Sequence, residues 1–270
     1  MFAALLKNEA RLQARSLASY LGVALAIYAG GILLLLLRVP LMSSIGSIAA
    51  VGACLLLGIS IPVLLVWRYY SSMYGREGYL THALPAKHTT LYGAKFSWAL
   101  GVWLVSLVIA AAMVLGYIIA EAISAGGTAA DAWNALTAGL AEIGTAPVTA
   151  FLIWLLIGIV IYVAQFGWII TFGMEERFRS LGLGGPVLVW FLTYVVLQVL
   201  TLASLLLIPI GVTLDLKQLV FSSFLPELIA SVGGGEPSFI PLGWLPLLAA
   251  TLPVYIVWTL RSLKNHTSLR

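Results

Sequence analysis

The chain has 270 residues, of which 61% are hydrophobic and 9% are charged, and its formal net charge is +4. A soluble domain carries about 25% charged residues, so the composition excludes a water-facing globular surface and points to a polytopic helical membrane protein. The apolar runs are long, continuous and rich in Leu and Ala, which excludes a barrel of short alternating strands.

Residues 2–16 carry a helical pattern. Lys7, Arg11 and Arg15 recur every four residues as a basic stripe, with Phe2, Leu5, Leu6, Ala10 and Leu12 opposite. This reads as an amphipathic helix on the inner leaflet, with a short cytoplasmic lead-in as the alternative. Glu9 falls within the apolar face and spoils the pattern, although it could pair with a cationic neighbour. The basic residues before an apolar run resemble a signal peptide, but the run is too long and no cleavage site clearly follows it, so it reads as a retained span.

A span needs about 20 mainly apolar residues. Six segments qualify, at 17–37, 47–67, 97–120, 149–172, 185–210 and 241–260. With the first residues inside, 12 of the 14 Lys and Arg fall on the inner side; only Arg38 and Lys217 fall outside. The bias places both termini in the cytoplasm. The second span contains Pro62 and the lone Cys54, a small packing residue, and Pro209 stands near the end of the fifth. Either proline can kink its helix.

Between spans two and three lies a polar island, Tyr74 to Phe96, that cannot sit in lipid. Residues 76–84 make about two helical turns, which Pro85 ends by disfavouring helical geometry at Leu84. Tyr79, Leu80, Ala83 and Leu84 then form an apolar ridge, which docks either on the protein's own helices or in a partner's groove. His82 and His88 flank the Leu84-Pro85 turn without metal-ligand spacing.

The outer segment 124–148 holds Trp133, Leu136, Leu140 and Ile143 on one helical face, so a short interfacial helix is expected there. The inner loop Glu175-Glu176-Arg177-Phe178-Arg179 reads either as local ion pairs or as a partner contact. The deepest polar side chains are Gln165 and Gln198, with Tyr162, Thr193 and Tyr194 nearby. Either they line a substrate route or the amides bond helix to helix. In the outer segment 211–240, an apolar stretch broken by Pro226 is too short to span, and a re-entrant or interfacial helical pair is expected.

No GxxxxGK[ST], GxSxG or HExxH pattern occurs, and no span interior carries Asp, Glu, Lys, Arg or His. The chain thus has no recognisable means of hydrolysing ATP, and its span interiors lack the charged group that ion-coupled carriers usually need at depth. It reads as a non-enzyme with no cofactor of its own and no nucleic-acid partner.

The run Glu77-Gly78-Tyr79-Leu80-Thr81, followed by Leu84-Pro85 and then Lys95 at the start of a span, resembles the ABC-2 type transporter permeases. The island carries this likeness as a motif; the remaining chain matches in architecture. The resemblance implies an all-α integral membrane fold: an N-terminal amphipathic helix (1–16), six transmembrane helices, a short cytoplasmic coupling helix within the loop 68–96, and a re-entrant or interfacial outside segment (211–240) before the last span. Residues 1–270 form a single permease domain in this reading. It also implies that Glu77, Gly78, Tyr79, Leu80, Thr81, Leu84 and Pro85 couple to a separate ABC ATPase carrying ATP and Mg. A second permease copy or a sister permease completes the assembly in the lipid of a bacterial inner membrane. Gln165, Gln198, Tyr162 and Tyr194 line the possible pathway for an amphipathic or hydrophobic export substrate: a peptide, drug or lipid. The alternative is a non-transporting scaffold or sensor that binds an ATPase or kinase.

Overall fold

The structure, a computed structural model, describes residues 1–75, 78–83, 86–214, 218–232 and 238–265. Among these, six helices are long and apolar enough to cross a membrane. They are α1 (Phe2–Leu36), α2 (Pro40–Met73), α4 (His88–Ser124), α6 (Thr145–Gly173), α7 (Gly184–Leu207) and α9 (Trp244–Asn265). Every backbone polar group in hydrocarbon must find its partner within the segment, and a helix does this. The outward side chains agree: Ile48, Leu33 and Val108 are each more than 60% exposed, which suits lipid. The chain is thus a multi-pass membrane protein by the length and composition of its helices.

The contacts fall into two compact units, Met1–Glu142 and Ile143–Arg270. Each contains three of the long helices.

In the first unit, α1 packs along α2, and both pack on α4. The sequence separates residues 2–16 from a span at 17–37, but α1 runs through both as one helix of 35 residues. At 1.5 Å per residue it is about 50 Å long, well beyond a hydrocarbon core of about 30 Å. Its basic stripe is exposed, while Glu9 and Gln13 are buried on another face. Small residues let α1 and α2 approach: a Cβ on Gly46 would come within 2.5 Å of Gly31 O and Leu35 N, so backbone meets backbone there. Deeper in, Ala24, Ala53, Leu57, Ile61 and Met113 form a core shared by the three helices. The α1–α2 turn passes through Arg38 at φ 58°, the left-handed region that closes many helices. Its guanidinium donates to Ile123 O (2.7 Å), one of the last carbonyls of α4.

The short helix α3 (Gly78–Ala83) occupies the polar island. The expected helix in 124–148 is α5 (Ala129–Ile143), on which Trp133, Leu140 and Ile143 are exposed. Asp131 and Thr128 cap it reciprocally. Asp131 Oδ2 accepts from the Thr128 amide (2.8 Å) and hydroxyl (2.7 Å), and Thr128 Oγ1 accepts from the Asp131 amide (3.2 Å). These bonds, the hydroxyl's first, hold the Asp131 carboxyl below its ordinary range.

In the second unit, α6 packs on α7 and α9. Gly173 and Gly185 bring the facing ends of α6 and α7 into backbone contact; a Cβ on either would strike the other strand of chain. Between these helices lies a 3-10 helix, Glu176–Leu181. Glu175 is buried and accepts from Arg177 Nε (2.8 Å), and the guanidinium lies 4.7 Å over the Phe172 ring. The loop thus holds a local ion pair, though its carboxylate is buried rather than solvated. Trp168 stacks between Phe172, Tyr255 and Trp258 at 5.2–5.9 Å, joining α6 to α9.

Segment 211–240 departs from the expected helical pair. Among the described residues there are three strands, β1 (Gly211–Thr213), β2 (Leu219–Val220) and β3 (Phe239–Pro241), and one helix, α8 (Phe224–Val232). The strands form an antiparallel sheet in the order β2-β1-β3, with Val212 opposite Leu219 and Ile240. Two features turned the chain from helix to strand. Val212, Thr213, Val220 and Ile240 are β-branched and suit a pleat, and Gly211 lies against the Phe239 ring where any Cβ would clash. Glu227 on α8 accepts from the Ser238 amide (2.8 Å) and hydroxyl (2.6 Å), tying the helix to β3. Pro209 does not kink α7. It ends the helix at Leu207 by holding Ile208 extended, at ψ 114°.

Candidate functional site

Two places gather the polar residues singled out in the sequence. The first is the foot of the first unit, where α1 begins, α2 ends and α4 begins. Gly78 is buried at the start of α3, and its amide donates to Gly75 O (2.9 Å). Thr81 Oγ1 donates to Ser72 O (2.7 Å), anchoring α3 to the last turn of α2. Tyr79, between them, is 72% exposed. Leu80 falls within α3. Glu77, Leu84 and Pro85 lie outside the described residues.

Ser72 is a node. While its carbonyl holds Thr81, its hydroxyl accepts from Lys95 Nζ at 2.7 Å. Lys95 also forms a buried ion pair with Glu9. Glu9 accepts a further bond from Gln13 Nε2 (3.0 Å). Four elements (α3, α2, α4 and α1) are thereby joined through one chain of polar contacts. A buried ammonium and carboxylate are tolerable only when paired and hydrogen-bonded, as both are here. Beside them lies a void of about 20 Å³, lined by Glu9, Gln13, Tyr69, Lys95 and Trp98. It is the size of one water molecule, and Gln13 Oε1 and Trp98 Nε1 are buried polar atoms on its wall. The sequence offered a cationic neighbour of Glu9 as one option; that it is Lys95 did not follow from the spacing.

The second place is a cavity of about 470 Å³ between α6, α7 and α9. All four pathway residues line it: Tyr162 and Gln165 from α6, Tyr194 and Gln198 from α7. Thr193 does not; it is buried and donates to Val189 O (2.6 Å). Neither glutamine amide makes a hydrogen bond to another helix among the described residues, so the helix–helix role weighed for them is not met here. The remaining walls include Trp154, Trp190, Trp244 and Tyr255, with Thr201 and Thr251. Trp154 and Trp244 meet edge to face at 5.6 Å.

The sequence reading missed these aromatic residues, though a signal was present. Trp190, Tyr194, Gln198 and Thr201 recur at steps of four, four and three, and Trp244, Leu248, Thr251 and Tyr255 at four, three and four. Each set is one helical stripe. Among the described residues, no three His, Cys, Asp or Glu come together as a metal site.

No protein-family model, curated protein or solved structure matches the chain.

Proposed function

We propose that the chain is the membrane permease subunit of an ATP-driven ABC-2 type exporter, set in a bacterial inner membrane with both termini cytoplasmic. The observation that carries this reading is α3. It is too short to stand alone, it is pinned to α2 through Thr81 and Ser72, and it presents Tyr79 outward. An aromatic side chain offered from an anchored helix is a docking knob. A push on α3 reaches Ser72 first, then Lys95 and Glu9, and so the ends of three long helices together. ATP and Mg belong to the partner ATPase in this reading, and a second permease copy or sister permease completes the assembly.

The cavity between α6, α7 and α9 favours transport over a scaffold role, because a scaffold has no need of a partly polar hollow among its spans. The resident pathway residues are Gln165, Gln198, Tyr162 and Tyr194.

The test is co-purification of the tagged protein from mild detergent beside the Tyr79→Ala variant. A stoichiometric P-loop ATPase, lost from the variant, is the expected result. Absence of any ATPase from the wild-type sample would overturn the permease reading.

A further inference from the structure

Two cavities among the described residues are built from opposite chemistries. The one in the first unit, about 450 Å³, is walled almost wholly by aliphatic groups such as Leu17, Leu21, Leu57, Ile61 and Val105. That is the chemistry of an acyl chain. The one between α6, α7 and α9 is walled by indole and phenol rings, two amides and two threonine hydroxyls.

We propose that this second cavity selects an uncharged amphipathic molecule with a flat ring and amide, carbonyl or hydroxyl groups, and rejects ionised ones. As the cargo class of a permease, the assignment rests on the transport reading.

Three observations carry it. None of the 15 residues lining the cavity is Asp, Glu, Lys, Arg or His. An ion entering among apolar spans would lose its hydration and gain no counter-charge, which is strongly unfavourable. Next, the rings of Trp154, Trp190 and Trp244 come from three different helices. Aromatic faces and edges set this way accept a planar group by stacking or T-shaped contact. Finally, the Gln165 and Gln198 side chains reach the same space from facing helices with no hydrogen-bond partner among the described residues. Each amide offers one acceptor and two donor hydrogens. Gln165 is half-buried and Gln198 exposed, and a ligand that satisfies these amides is favoured over a pure hydrocarbon because an amide among apolar spans seeks a hydrogen-bond partner. A phospholipid fails on two counts, having apolar tails without hydrogen-bonding groups and a charged head without a counter-ion. The volume lies within the range of about 300–1,000 Å³ usual for small-molecule sites.

Three probes sharing one ring separate the possibilities: dansylamide (neutral), dansylglycine (anionic) and dansylcadaverine (cationic). Each is titrated into the purified full chain in detergent at neutral pH, with energy transfer from tryptophan as the readout. The expected result is saturable transfer to dansylamide and at least tenfold weaker binding of both charged probes. The Gln165→Leu/Gln198→Leu double variant should weaken dansylamide at least tenfold; leucine keeps the bulk and suits lipid, and an unchanged helical circular-dichroism spectrum confirms folding. Trp190→Phe, which keeps a ring, should retain binding with reduced transfer. Equal binding of all three probes, unaltered binding by the double variant, or no saturable dansylamide signal would each overturn the assignment. An ATPase that co-purifies while dansylamide fails to bind would sink the ligand class and leave the transport reading. Saturable, charge-selective binding with no ATPase would sink transport and leave the site.

Discussion

Lys95 and Glu9 stand 86 residues apart in sequence and meet in a buried ion pair, their side chains 4% and 11% exposed. The pair closes the foot of α1 against α4, with Ser72 of α2 as the third member. Removing one partner leaves the other buried without compensation. Lys95→Met alone, or Glu9→Leu alone, is expected to cost about 3–5 kcal/mol of stability. The double variant should recover much of that loss, since two apolar side chains replace the pair. Thermal unfolding of all four proteins in one detergent checks this; strictly additive losses would mean the two residues do not interact.

The link between α3 and α2 gives a second expectation. Tyr79 is exposed and Thr81 is bonded to the Ser72 carbonyl, so their substitutions should separate docking from anchoring. Tyr79→Ala leaves the unfolding midpoint unchanged and weakens ATPase co-purification. Thr81→Val loses one hydrogen bond, about 1 kcal/mol, and lets the ATPase bind while reducing ATP turnover linked to transport. If Thr81→Val released the ATPase as completely as Tyr79→Ala, the two roles would be one.

Two glycines of one helix make a matched pair. A Cβ at Gly46 would press on the α1 backbone, whereas one at Gly58 meets nothing within 4 Å. Gly46→Ala should therefore destabilise by about 1–3 kcal/mol through forced separation of α1 and α2. Gly58→Ala should be neutral or stabilising, by up to ~1 kcal/mol, because alanine loses less freedom on forming helix. Midpoints that shift alike would argue that α1 and α2 do not pack as closely as seen.

The cap of α5 responds to acid. Thr128 holds the Asp131 carboxyl below its ordinary range. A carboxylate with a depressed folded-state pKa contributes stability that is fully present above its unfolded value. That contribution fades as pH falls through the folded value. Amide hydrogen exchange over residues 128–132, the Thr128 amide above all, should show greater protection in the wild type than in Asp131→Ala at pH 5 to 8, about one unit and more above the ordinary Asp value near 3.9. The difference should vanish in stronger acid. Equal protection in both proteins at neutral pH would mean the cap is not formed.

The sequence by itself determined the six long helices, because lipid demands some 20 apolar residues per crossing and that demand is met residue by residue along the chain. It also placed α5, whose face shows in the steps from Trp133 to Ile143, and a short helix in the polar island. It marked Glu9 as out of place and Gln165, Gln198, Tyr162 and Tyr194 as polar among apolar neighbours. Periodicity reports which face of an element a residue occupies, and it is silent on what that face meets. Only the tertiary structure therefore decided that Glu9 meets Lys95, and that Gln165 and Gln198 open on one cavity with Trp154, Trp190 and Trp244. It alone decided that residues 211–213 pair with 239–241 as strands, since a sheet's hydrogen bonds join segments whose separation no local pattern encodes. And it alone ran residues 2–36 into one helix, with Glu9, unfit for lipid, meeting Lys95 of α4 along the bundle.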